Sequence, residues 1–145
     1  MRLDPDNPVV QLCVDGMQAE AAGELDTARE LFQQAWDARL DDVDACVAAH
    51  YLARRQTTAE DVLLWNQRAL DHANAAGDER VRGFYPSLYL NMGWSCEQLG
   101  RSGEAQRWYV LAAGALEELD GGDAAYGEVV RDGVVAGLRR LAAAG

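Results

Sequence analysis

The chain has 145 residues and a mass of 15.8 kDa, about one domain's worth. Its formal charge of −11 and pI near 4.5 argue against a nucleic-acid binder, which needs a basic face to meet phosphates, and against docking on an anionic membrane. Ala is abundant, Thr scarce and Ile absent, which disfavours an all-β fold, and no stretch approaches the ~18 apolar residues of a membrane span.

The N-terminus, MRLDPDNPVV, has no apolar run after its single Arg and does not read as a signal peptide. Asp6 and Asn7 ahead of Pro8 form a cap followed by Pro in the first turn. The helix they start carries Val9, Leu12, Cys13 and Met17 at helical spacing and stops at Gly23, a good left-handed terminator. A second helix then presents Leu25, Ala28, Leu31, Phe32, Ala35 and Trp36 on one face. The two are expected to approach closely where Gly16 meets Ala28, with Phe32 filling the space further along.

DVDACVAAHYLARRQ and TTAEDVLLWNQRALDHANAAG form the next pair. Thr57 with Glu60 three residues on reads as a capping box for the second of these helices. Residues 78–85 leave two alternatives. Either a helix starting near Asp78 kinks at Pro86, or the packed helix begins at Pro86 after a loose turn; the second is favoured, because the residue before Pro resists helical geometry. LYLNMGWSCEQLG and RSGEAQRWYVLAAGAL make a third pair, with Ser102 as the expected cap. The last helix presents Val129, Val130, Val134, Leu138 and Leu141, with no partner helix after it. Its Gly127, Gly133 and Gly137 each weaken it by about 1 kcal/mol against Ala, so it is expected to be the least stable.

The pairs repeat. At an offset of 77 residues Gly16 falls on Gly93, Gly23 on Gly100, Ala28 on Ala105, Phe32 on Tyr109 and Ala35 on Ala112. An intermediate offset of 34 places Ala19 on Ala53, Ala35 on Ala69 and Leu31 on Trp65. In that middle copy His50 and Val62 replace the Gly and the Ala, which predicts a wider helix separation.

The segments LCVDGMQAEAAGELDTARELFQQA and YLNMGWSCEQLGRSGEAQRWYVLAA resemble tetratricopeptide repeats, 34-residue helix–turn–helix units with an L-G…Y…G…A…F…A pattern. The resemblance covers about residues 8–119. No unit has the full set, and Leu40 stands where a Pro often closes the repeat. The resemblance implies an all-α fold: three hairpins at about 8–42, 43–77 and 86–119, stacked in a right-handed superhelix within one domain spanning 1–145. A capping helix over about 123–143 would close the array. The pairs Gly77-Asp78 and Gly122-Asp123 resemble the markers of the extended repeats of signalling adaptors and transcriptional regulators.

Catalysis has little to work with. His50 and His72 have no Cys, Asp or Glu at metal-ligand spacing on the same helical face. His50 falls at a packing position and His72 in the polar stretch DHANAAGDER, where it is expected to be solvated. Cys13, Cys46 and Cys96 are widely spaced and odd in number, and read as small core residues with reduced thiols in a cytoplasm. GGD at 121–123 reads as a helix connection, and the acid pairs Asp41-Asp42 and Glu117-Glu118 as solvated neighbours. The expectation is a chain with no catalytic residue, no metal and no cofactor.

Binding is the better prospect. The resemblance implies that the first helix of each repeat lines a concave groove holding a peptide or helix of another protein. Carried over by position, that groove would contain Cys13, Met17 and Glu20, then Val47, Tyr51, Arg54 and Arg55, then Leu90, Asn91, Trp94, Glu97 and Gln98. Tyr51, Trp94 and the arginines are residue types that concentrate binding energy. The plainer alternative is that Tyr51 and Trp94 cover a shallow core and the arginines pair with nearby acids, adding little stability. The carboxylate clamp of heat-shock chaperone-binding repeats is missing, since Cys13, Met17 and Ala48 occupy its places. Two other functions stay open: a regulator that senses peptides or restrains a transcription factor, and a scaffold that self-associates as a homo-oligomer.

Overall fold

The computed structural model describes residues 3–119 and 124–145, and every regular element among them is helical. In chain order these are α1 (Pro8–Ala21), α2 (Leu25–Asp37), α3 (Asp42–Ala53), α4 (Ala59–Ala76), α5 (Glu79–Arg82), α6 (Tyr85–Gln98), α7 (Ser102–Glu118) and α8 (Ala124–Ala144). The chain is thus all-α, three helical hairpins followed by a single long helix, with the four-residue α5 starting after Asp78, where the less favoured of the two alternatives put a helix, although it ends at Arg82 instead of running on to kink at Pro86. Gly122 and Asp123, the expected second marker, lie outside the described residues, as does the GGD connection.

Local signals explain most boundaries. Asn7 Oδ1 accepts from the backbone N–H of Val9 at 2.8 Å and of Val10, and Pro8 takes the first helical position. α1 and α6 end in the same way. Gly23 at φ 79° and Gly100 at φ 74° adopt the left-handed conformation, and the next residue's N–H reaches back to a buried turn, Glu24 to Ala19 O and Arg101 to Cys96 O, each at 2.9 Å.

Two caps differ from expectation. In α4 the cap is Thr58, whose side chain accepts from Asp61 N at 3.1 Å, one residue beyond the Thr57/Glu60 box. In α7 Ser102 is already helical and Arg101 is the N-cap, without a side-chain hydrogen bond. The reason is the turn itself: Arg101 closes α6 and opens α7, leaving no residue between.

The segment before Pro86 is not a loose turn. Asp78 accepts from Arg80 N at 2.8 Å and starts α5, and Val81 and Phe84 are fully buried. Burying these two apolar side chains holds the segment as a packed corner. Helix α6 begins at Tyr85, with Pro86 in its first turn, where its missing N–H costs nothing.

The hairpins α1–α2, α3–α4 and α6–α7 stack in order. α3 packs on both α1 and α2, α6 on α4, and α8 on α7 and α6. This makes one layer of α1, α3, α6 and α8 and another of α2, α4 and α7. The middle pair packs as extensively as the other two.

The packing unit is an aromatic ring laid on a glycine. A Cβ at Gly16 would fall 2.3 Å from the Phe32 ring, and one at Gly93 would fall 2.7 Å from Tyr109. Phe32, rather than Ala28, is therefore what Gly16 most closely meets. The next helix of the layer covers the ring's other side. Tyr51 of α3 stacks on Phe32 with centroids 5.4 Å apart, and on α8 a Cβ at Gly137 would fall 2.4 Å from Tyr109. Gly133 likewise meets Leu90 of α6. In the middle hairpin the equivalent residues are His50, Asn66 and Trp94: a small side chain replaces the ring where a large one replaces the glycine. Asn66 is buried and donates to Ser95 Oγ at 2.7 Å.

These contacts give α8 a role beyond its weak propensity. Gly137→Ala is expected to destabilise the protein by about 1–3 kcal/mol through overpacking on Tyr109. Gly127→Ala in the same helix, with open space at its Cβ, should stabilise by about 0.5–1 kcal/mol. Equal denaturation midpoints for the two variants would show that α8 does not dock through Gly137. For the middle hairpin, Thr58→Ala should cost about 1 kcal/mol and Thr57→Ala much less, as read by urea denaturation.

Candidate functional site

The repeat offsets place four charged residues at one position of four successive layer helices: Glu20 on α1, Arg54 following α3, Glu97 on α6 and Arg140 on α8. They alternate in sign and join in pairs. Arg54 bonds to Glu20 Oε1, and Arg140 Nε donates to Glu97 Oε2 at 2.8 Å while its Nη2 donates to Oε1 at 3.1 Å. Arg55 adds a second cation on Glu20, its Nε 3.0 Å from Oε2. The Tyr109 hydroxyl donates to Glu97 Oε1 at 2.7 Å. With Arg140 first and Tyr109 assisting, these donors hold the Glu97 carboxyl below its ordinary pKa.

The residues expected in a groove divide around this ladder. Tyr51 is only 8% exposed and belongs to the core, because Phe32 needs a cover on the side away from Gly16. Cys13 and Val47 are buried as well, and Leu90 is packed against α8 at Gly133. Met17 is half-buried against the same apolar cluster as Tyr51. Arg54 and Arg55 are paired with Glu20, as the plainer alternative supposed, although Arg54 keeps a side-chain exposure of 43%. Gln98 is exposed. Trp94 is 46% exposed and belongs to neither apolar cluster; the Arg140 guanidinium carbon lies 5.2 Å from its ring centroid.

Asn91 links the second and third hairpins. Its Nδ2 lies 3.3 Å from His50 Nδ1, a geometry in which the neutral imidazole accepts. Its carbonyl accepts from Ser95 Oγ at 2.7 Å. His50 also meets the Tyr51 ring edge-on, with centroids 5.0 Å apart. Burial first, and then the Arg54 charge, push the His50 pKa down to about 4.

Other expectations change. His72 is not simply solvated: its Nδ1 lies 2.8 Å from Asp42 Oδ1, and its ring stands 5.8 Å from Trp36. Asp42 is therefore a partner in a pair that joins α3 to α4. Cys13, Cys46 and Cys96 are buried thiols, and burial pushes the first two up to about 12, away from nucleophilic chemistry at neutral pH. Among the described residues no group of three His, Cys, Asp or Glu could hold a metal ion, and no helix is long and apolar enough to cross a membrane.

Two features were not anticipated. Asp44 is buried yet fully used, accepting from Asn7 Nδ2 at 2.9 Å and Leu40 N at 3.0 Å, so it ties the start of α1 to the α2–α3 turn. The charge ladder was also missed, although the offsets that revealed the glycines contain it. Matching small and aromatic residues finds packing; finding the ladder requires comparing charges of opposite sign.

His50 gives the site a pH dependence. An unfolded chain protonates this residue near pH 6.5, whereas the folded protein keeps it neutral down to about 4. Between those values the unfolded state binds more protons, so stability falls as pH drops through the window. His50→Gln is expected to lose less stability than the wild type between pH 7 and pH 4.5 in denaturation curves. Equal losses would mean that His50 is not held neutral.

Comparisons of the chain with protein-family models, curated proteins and solved structures return no match.

Proposed function

We propose that this protein is a protein–protein interaction module built on tetratricopeptide-like repeats, holding a peptide or helix of a partner on the layer formed by α1, α3, α6 and α8. One observation carries this: Trp94, an indole outside the core and 46% exposed, stands on that layer with the Arg140 guanidinium over its ring. An exposed indole flanked by a cation is a residue type and setting that concentrates binding energy. The repeat pattern in the sequence supports the same use of the layer. Tyr51 is buried, so Trp94 is the large anchor of this surface, with Arg140 and, one turn along α6, Gln98 as polar neighbours. A regulator that senses peptides would use the same face, and in that case binding would compact the array, which scattering would detect.

Self-association has its own support in Val110 and Leu111 of α7, exposed at 57% and 49%. Sedimentation at rising concentration distinguishes it.

For the interaction reading, Trp94→Ala should weaken binding of a peptide selected from a displayed random library by about 2 kcal/mol, roughly 30-fold. The denaturation midpoint should barely move. If the variant unfolds while its folded fraction binds normally, Trp94 is structural and this face is not the site.

A further inference from the structure

Resting on the interaction reading, we infer that the bound segment carries a single carboxylate close to a bulky apolar residue, with Arg54 and Arg55 receiving the acid and Trp94 the apolar side chain.

Placement comes first. α3 and α6 each pack against α4. His50 and Asn91 join α3 to α6 through a contact of 3.3 Å. Arg54 lies about one turn beyond His50 and Trp94 about one turn beyond Asn91, the two residues that touch.

The chemistry follows from a local imbalance. Among the described ion pairs, Arg80 meets two acids, Asp41 and Asp78, and Arg82 and Arg140 meet one acid each, Glu79 and Glu97. Only at Glu20 do two arginines share one carboxylate. Each guanidinium offers five N–H donors, more than Glu20 can accept from the two together. The Arg55 Nε, although buried and near Glu20, makes no aligned hydrogen bond. Arg54 remains well exposed, and its guanidinium lies 5.1 Å from the Tyr51 ring, which holds it in place. A second carboxylate arriving from solvent would meet ready, oriented donors.

The same electrostatics limit the partner. Arg54, Arg55 and Arg140 disfavour a basic residue beside Trp94. The net charge of −11 repels a strongly acidic segment at long range. One acid next to one large apolar side chain satisfies both conditions.

The probe is a displayed library of random dodecapeptides, with enriched sequences resynthesised and measured by fluorescence anisotropy. Enriched peptides should pair an aromatic residue or Leu with one Asp or Glu within three positions. Replacing that acid by its amide should weaken binding about tenfold, and should have little further effect on the Arg54→Gln/Arg55→Gln variant. Since that variant leaves Glu20 unpaired and could fold poorly, Glu20→Gln provides an independent arm. Removing the competing carboxylate should tighten the acidic peptide severalfold, an effect opposite in sign to structural damage. Enriched peptides without an acid, equal amide effects on wild type and the double variant, or no gain in Glu20→Gln would each overturn the inference while leaving the interaction reading standing. A library that yields no binder would overturn both.

Discussion

The architecture depends on a ring seated where a side chain is missing. Phe32 over Gly16 and Tyr109 over Gly93 let the helices of the first and third hairpins come within reach of each other. Each glycine weakens its helix by about 0.5–1 kcal/mol against Ala. Each buried ring removes roughly 150–250 Å² from water, worth on the order of 4–6 kcal/mol at about 25 cal/mol per Å². Burial therefore outweighs the lost propensity. The same ring then receives the next helix of the layer on its far side, so one contact specifies both the hairpin and the stacking. That is why α8, with its three glycines, still docks: Gly133 and Gly137 are the places where Leu90 and Tyr109 enter.

The middle hairpin packs by exchange. His50 fills the place of the glycine and Asn66 that of the ring, which brings polar groups into a buried position. Leaving such groups unpaired would be costly. Asn66, Ser95, Asn91 and His50 instead bond to one another across the boundary between the second and third hairpins. The apolar core divides along α6, with Leu88 and Met92 in the first cluster and Cys96 in the second, and Leu63, Tyr89 and Trp108 pack against both. The polar bonds have directions that apolar contacts lack, so they tie α6 to both α4 and α3.

The exposed layer follows from these constraints. Covering Phe32 takes Tyr51 out of solvent, and docking α8 takes Leu90. On α8 the position equivalent to Tyr51 and Trp94 is Gly137, because Tyr109 leaves no room there. Trp94 alone of this set stays free of a ring, since Asn66 gives it nothing to stack on. The anchor of the proposed site is thus a by-product of the polar exchange in the middle hairpin.

The sequence by itself determined the helical class, the three hairpins, most helix ends and the glycine–aromatic repeat, because these rest on short-range periodicity and on backbone conformations that only certain residues adopt. Asn7, Pro8, Gly23, Gly77 and Gly100 announce their roles locally. Thr57 against Thr58, and Ser102 against Arg101, could not be separated in the same way, since the turn geometry selects the cap. Only the tertiary structure decided which face of each helix is covered. Tyr51 and Trp94 occupy the same repeat position, yet one is core and the other exposed. Residues on neighbouring helices make the difference, Phe32 for one and Asn66 for the other. The fate of a side chain in a stacked array is set by the unit before it, about 20–30 residues away, beyond the reach of any local pattern.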